Sequence, residues 1–266
     1  MIALEAGDAW LTVHPEAGGR IGSIEVGGTP LLRDDPSAGA LMWGCYPMVP
    51  WAGRVRHGAF DFDGIGQQLP INLPPHAIHG TAFDARWEVV DAGRDYCELR
   101  CALTWQFGGT AHQHVQLRPD GVTCVLTAYA TAMPMPAVVG WHPCFRKPAA
   151  DELSFGRMYP RDHDGMAVLP TVDPVARPWD DCFVEPQGPL RLRFLDHHGG
   201  EIVVTVASDC DHWVVYDEPA DATCVEPQSA PPDAFNLGGA TRLDPGDLLQ
   251  RTMIITWQRS HRVTLP

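Results

Sequence analysis

The chain has 266 residues, 45% of them apolar, with 33 acidic against 19 basic side chains for a net charge of −14. Length and apolar content exclude wholesale disorder and allow a core that needs no disulfide staples. The acidic balance repels phosphate backbones and anionic bilayers, and no apolar run nears the roughly 18 residues of a span, so neither nucleic acid nor membrane is an expected partner.

Met1-Ile2-Ala3-Leu4-Glu5 has no basic segment followed by a long apolar one, so no signal peptide is expected. The eight cysteines (45, 97, 101, 124, 144, 182, 210 and 224) form no CxxC pair. They read as small core residues in a reduced, cytoplasmic setting. Twenty-five prolines and 26 glycines are scattered along the chain, punctuating many short segments as an all-β protein requires.

In chain order, strands are expected over residues 10–13, 20–26 and 87–91. Cys97, Leu99, Cys101, Leu103 and Trp105 then alternate with Glu98, Arg100, Thr104 and Gln106. A strand over 112–118 turns at Pro119-Asp120-Gly121 into Val122, Cys124, Leu126 and Ala128, which alternate with Thr123, Thr127 and Tyr129. Strands over 190–195 and 201–207 flank a turn at His197-His198-Gly199-Gly200, and another covers 213–216. Finally Leu249, Met253, Ile255 and Trp257 alternate with Gln250, Thr252 and Thr256, interrupted by Arg251. Period-2 patterns with short turns and no amphipathic helix imply half-buried antiparallel strands in one sandwich or barrel, a single domain over 1–266.

Polar residues with chemical potential gather in five places. In Pro50-Trp51-Ala52-Gly53-Arg54-Val55-Arg56-His57-Gly58, Arg54 and Arg56 are two apart and on an extended segment face the same way; a solvated loop pair is the plain alternative. In His76-Ala77-Ile78-His79-Gly80 the glycine lets a ligand approach the backbone, and the three-residue histidine spacing is not a same-face spacing on a strand. Gly140-Trp141-His142-Pro143 and Thr223-Cys224-Val225-Glu226-Pro227-Gln228 share one design: an apolar strand, a titratable side chain, then a proline that turns the chain away. A carboxylate and an imidazole presented this way suggest a general acid/base pair. Pro178-Trp179-Asp180-Asp181-Cys182-Phe183 sets two carboxylates between aromatics, as an exposed turn also does. His112 and His114 share a strand face and are a second-rank metal candidate without a nearby third ligand, so no metal is expected.

Taken in order, WAGRVRHG, AIHG, GWHPCF, WDDCF, CVEPQ and LDPG resemble the aldose 1-epimerase (galactose mutarotase) family, from about Gly18-Gly19-Arg20 to Gly246. The resemblance implies a large, mostly antiparallel β-sandwich of the galactose mutarotase type with a sugar cleft on one sheet. It implies Glu226 and His142 as the catalytic base and acid, and Arg54, His79 and Asp180 as sugar ligands. Asp180 rather than Asp181 is the match by its distance to Phe183. Gly53 stands where many members carry asparagine. The implied reaction interconverts α and β anomers of a free aldose by ring opening and closure, without a cofactor. A small-molecule sugar is the expected partner of a chain that is a monomer or homodimer.

Ordinary pKa values leave Glu226 ionised, and the neighbouring Asp180 and Glu226 carboxylates are expected to raise His142. Trp51, Trp141 or Trp179 is expected under an apolar sugar face. Alternatives are a hexose-6-phosphate 1-epimerase using Arg54 with Arg56, a non-catalytic sugar-binding protein of the same fold, and a metal enzyme using His112 and His114.

Overall fold

A computed structural model describes residues 1–197 and 199–260. Position 198 of the expected 197–200 turn, and the end of the expected 1–266 domain, lie outside the described residues.

Two large sheets carry the architecture. One has ten strands. Its path runs Ile2–Ala6, Ala9–His14, Arg20–Val26, Cys45–Met48, Gly140–Arg146, Ala222–Gln228, His212–Tyr216, Asp180–Pro186 and Phe155–Tyr159, with Thr29–Pro30 on the side. The other has eight, in the order Glu88–Ala92, Tyr96–Ala102, Thr110–Arg118, Gly121–Tyr129, Leu248–Ser260, Glu201–Ser208, Leu190–Leu195 and Ala150–Glu152. Every strand pairing within these two sheets is antiparallel. Among the described residues the single α-helix spans Ala234–Leu237. The fold is the expected mostly antiparallel β-sandwich.

The eight-stranded sheet is built as alternation dictates. Cys97, Leu99, Val115, Leu117, Cys124, Leu126, Met253 and Ile255 are buried, while Glu98, Arg100, Gln250 and Thr256 are exposed. Arg118 pairs with Gly121, so Pro119 and Asp120 make the expected tight turn. The buried face packs on Leu11, Val13, Ile24, Phe145, Phe183, Val215 and Val225 of the ten-stranded sheet in one continuous core.

The expected strand ends at Pro143 and Pro227 are not strand ends. The chain continues as strand to Arg146 and Gln228, in the middle of the larger sheet. These neighbouring strands pair at Gly140–Gln228 and again at Cys144–Cys224, with the ladder interrupted between. The same register on both sides of the gap sets His142 opposite Glu226. Cys144 directs its N–H to Gly44 and its C=O to Arg33, away from the 222–228 strand. Cys144–Cys224 is therefore a non-hydrogen-bonded pair, and so, two residues on, is His142–Glu226. That is the position where Cα atoms come closest, about 4.5 Å. The two prolines fall at the alternate positions between, where each removes one ladder donor.

Candidate active site

The larger sheet lays out the site in rows. Tyr46, His142, Glu226, Val214 and Cys182 stand side by side across five strands; two residues further along, Cys144, Cys224, Tyr216 and Asp180 form the next row. Residues two apart share a face, so all of these point away from the sandwich core. Loops cover that face and close a cavity of about 400 Å³, within the range of small-ligand pockets. Arg54, His79, His142, Asp180 and Glu226, scattered over more than 170 positions of sequence, all line it.

His142 Nε2 lies 3.2 Å from Glu226 Oε1, and both residues are buried at 5% and 2% exposure. Gln228 Nε2 donates to the other carboxyl oxygen at 3.4 Å. Tyr46 stacks on His142 with centroids 4.6 Å apart and planes at 14°, while His79 meets it edge-on at 5.2 Å. His79 comes from the loop after the short Arg54–Val55/Ala77–Ile78 ladder. Its Nδ1 accepts the Gly53 N–H at 3.3 Å, so its proton sits on Nε2. Asp180 opens a strand rather than an exposed turn, and Arg54 Nη2 donates to it at 3.3 Å.

Burial favours the neutral form of both groups, against the ionised Glu226 and raised His142 expected from ordinary pKa values and neighbouring carboxylates. Desolvation, reinforced by Asp180, pushes the Glu226 carboxyl well above its usual range. Desolvation takes His142 down to about 3, with Arg20 adding to the depression. Glu226 does not raise the imidazole, because the interior disfavours the carboxylate that would do so. The resting pair favours a neutral carboxyl beside a neutral imidazole, one proton between two groups. Burial, then His142 and Arg54, likewise keep His79 neutral.

Stability then depends on pH with a defined sign. Between pH 6.5 and about 3 the unfolded chain protonates position 142 and the folded chain does not, so His142 costs stability as pH falls. Urea unfolding at pH 7 and pH 5 is expected to show a smaller drop for His142→Asn than for the wild type. An equal drop counters the assignment.

Several expectations are corrected. Arg54 and Arg56 do not share a target: a 3-10 turn begins at Arg56, which pairs with Asp162 and Asp164 outside the pocket. Among the described residues no tryptophan lines the cavity. Trp141 and Trp179 each precede a site residue by one position and so point through the sheet into the core, while Trp51 packs on Trp105 and Phe235. The glycine after His79 admits backbone rather than ligand: at φ +80, a Cβ on Gly80 would lie 2.0 Å from the Val49 carbonyl oxygen. Gly80→Ala is expected to cost about 2–4 kcal/mol in urea unfolding, through strain and overpacking. A wild-type midpoint counters that reading.

Arg161 is the main polar group that sequence reasoning missed. It donates to Asp180 at 2.6 Å and lies 3.1 Å from Asp181. It sits in a loop with no motif, so no local signal marks it. His79, His142 and Glu226 each bring one ligand atom within 4.8 Å of the others. In its present hydrogen bond, however, His79 has no free lone pair: Nδ1 is occupied and Nε2 is protonated. His112 and His114 lie on the other sheet against Tyr129 and Glu98, and no third ligand joins them among the described residues.

The aldose 1-epimerase family model matches residues 1–256. The chain belongs to the aldose 1-epimerase family. A curated relative, YphB of Escherichia coli K12, is 32% identical over 125 residues, 44% of this chain and 42% of that protein, so the match spans less than half of the relative's length. Among solved structures, a candidate aldose 1-epimerase from Escherichia coli K12 aligns with TM-score 0.84 at 21% identity, covering 96% of this chain and 98% of that one. A GalM/aldose epimerase homologue from C. elegans aligns with TM-score 0.81 at 15% identity, covering 98% and 99%. These structural likenesses carry the fold.

Within the aldose 1-epimerase family, the glycine at position 53 has a local reason here. Its φ is +68, a region open to glycine and asparagine, and a Cβ would come 2.8 Å from Pro232. Pro232 fills the space of a side chain at 53, and the backbone N–H there orients His79 instead. No helix among the described residues is long and apolar enough to cross a membrane.

Proposed function

We propose that the protein is an aldose 1-epimerase that interconverts the α and β anomers of a free aldose, acting as one cofactor-independent domain over 1–266. The observation that carries this reading is the buried His142–Glu226 contact at 3.2 Å facing a cavity of about 400 Å³.

Mutarotation needs one proton removed from the anomeric hydroxyl and one delivered to the ring oxygen. The pair is armed when its shared proton crosses from Glu226 to His142. Glu226 then takes the O1 proton, the C1–O5 bond breaks as the C1=O1 double bond forms, and His142 protonates O5. Opening returns the pair to its neutral resting form, which the dry interior favours. Rotation about C1–C2 presents the other face of the aldehyde. Closure runs the transfers backwards: His142 takes the O5 proton and Glu226 returns one to O1. Each positioned transfer contributes roughly 10²–10⁴-fold.

Arg54 and His79 Nε2–H donate to sugar oxygens as charge shifts, and Asp180 accepts from ring hydroxyls. Asp180 is already oriented by Arg54 and Arg161. An apolar sugar edge meets Leu41, Ile78, Val214 and Pro232. The acid/base pair distinguishes this reading from non-catalytic sugar binding, which needs no shared proton. The fate of Arg56 favours an unphosphorylated substrate, since Asp162 and Asp164 take up its charge. Eight free, buried cysteines support a reducing, cytoplasmic compartment.

The test is polarimetry on pure anomers of galactose, glucose, xylose, arabinose and glucose 6-phosphate, with and without chelator. Faster equilibration of a free aldose, undiminished by chelator, is expected. Sugar binding without acceleration overturns the catalytic reading, and preference for the phosphorylated sugar overturns the substrate assignment.

A further inference from the structure

Arg20 is the one buried cation among the described residues, 1% exposed, and no carboxylate lies within ion-pair distance of it there; the exposed Asp84 acts on it only from further away. Its Nε donates to Ala17 O at 2.7 Å, Nη1 to Ala40 O at 2.8 Å and Trp43 O at 2.9 Å, and Nη2 to Phe83 O at 2.9 Å. Carbonyl dipoles solvate the charge without cancelling it. Clipping three loops together accounts for these bonds but not for the rings alongside. The guanidinium carbon lies 4.5 Å from the Trp43 centroid and 5.0 Å from the Tyr46 centroid. Tyr46 in turn stacks on His142 at 4.6 Å. A fixed cation thus stands within about 10 Å of the imidazole, inside a dry interior where charges act strongly.

The other groups around His142 carry little net charge. Glu226, across the sheet, is held neutral by burial, as is His79 at the ring edge. Tyr46 is an un-ionised phenol and Cys144 flanks the imidazole along its own strand. Across the cavity, Arg54 and Asp180 are paired with each other.

We propose that Arg20 is a positioning residue for the proton-transfer pair: its charge beside the Tyr46–His142 stack, solvated only by backbone carbonyls, disfavours the imidazolium beyond what burial does and so makes it a stronger donor to the sugar ring oxygen. The catalytic part of this rests on the epimerase reading; the effect on His142 does not require turnover.

The experiment follows His142 by imidazole ¹⁵N NMR from pH 8 down to acid unfolding, its signals assigned with His142→Asn. Wild type, Arg20→Met and Arg20→Lys are compared. Arg20→Met removes the charge and is expected to raise the titration by about one pH unit, the size of a unit charge at this range and an effective dielectric of about 20. Arg20→Lys weakens the loop clip but keeps the charge, so its titration is expected within a few tenths of wild type despite lower stability. The acid limb of kcat/KM is expected to move with the NMR midpoint. A folded Arg20→Met in which His142 titrates as in the wild type, or stays neutral to unfolding as there, overturns the proposal. So does an Arg20→Lys shift of about one unit, which decides the matter even if Arg20→Met fails to fold. Absence of mutarotation in the wild type counts against the proposed function and leaves the NMR comparison standing.

Discussion

Replacing Glu226 with glutamine is expected to lower anomer interconversion by roughly 10²–10⁴-fold while leaving the fold intact. The amide matches the carboxyl in shape. It can donate to His142 Nε2 and accept from Gln228 Nε2, so neither buried neighbour loses its partner. What disappears is the group able to take and return the O1 proton. Stability separates this loss from misfolding, with a sign that can be worked out. Burial raises the Glu226 pKa in the folded state, so folded wild type holds a proton that the unfolded chain releases first. That contribution is present at low pH and is lost as pH rises through the folded pKa. Glu226→Gln removes the titration, so its stability relative to wild type is expected to rise with pH. Polarimetry paired with urea unfolding across pH checks both halves. Near wild-type turnover in a folded variant removes Glu226 from the mechanism.

His142→Asn is expected to reduce turnover by a similar factor, because the remaining carboxyl has no partner with which to exchange its proton. This variant also loses the Tyr46 stack and leaves a void, so a cost of about 1–3 kcal/mol is expected as well. Two measurements isolate the chemical part. Free imidazole is small enough for the cavity and should restore part of the rate, which a purely structural defect would not permit. The Glu226→Gln/His142→Asn double variant should be little slower than either single one, since the two residues act as a unit on one proton. Additive losses and no rescue would mean that the imidazole serves packing alone.

Legibility in the sequence follows burial. In the eight-stranded sheet one face meets the core and the other meets water, so Tyr96–Ala102 and Thr110–Arg118 alternate and such strands can be read from period alone. The strands that build the site do not alternate. Cys45–Met48 and Ala222–Gln228 are buried at every position, and Gly140–Arg146 at all but its last, because core covers one side and loops cover the other. Continuous burial erases the period, and Pro143 and Pro227 then read as strand ends. The five site residues were legible only through the ordered motifs around them, and Arg161 and Tyr46, which lack such motifs, were not.

The amino-acid pattern alone therefore specified an acidic all-β chain, its half-exposed strands and turns, and the residue types able to exchange a proton. Tertiary structure decided the rest. Strand register set His142 against Glu226, enclosure from both sides favoured their neutral forms, and the packing of distant loops surrounded Arg20, beside the stack, with carbonyls in place of a carboxylate. Pairing and solvation are properties of neighbours distant in sequence, and a local pattern carries neither.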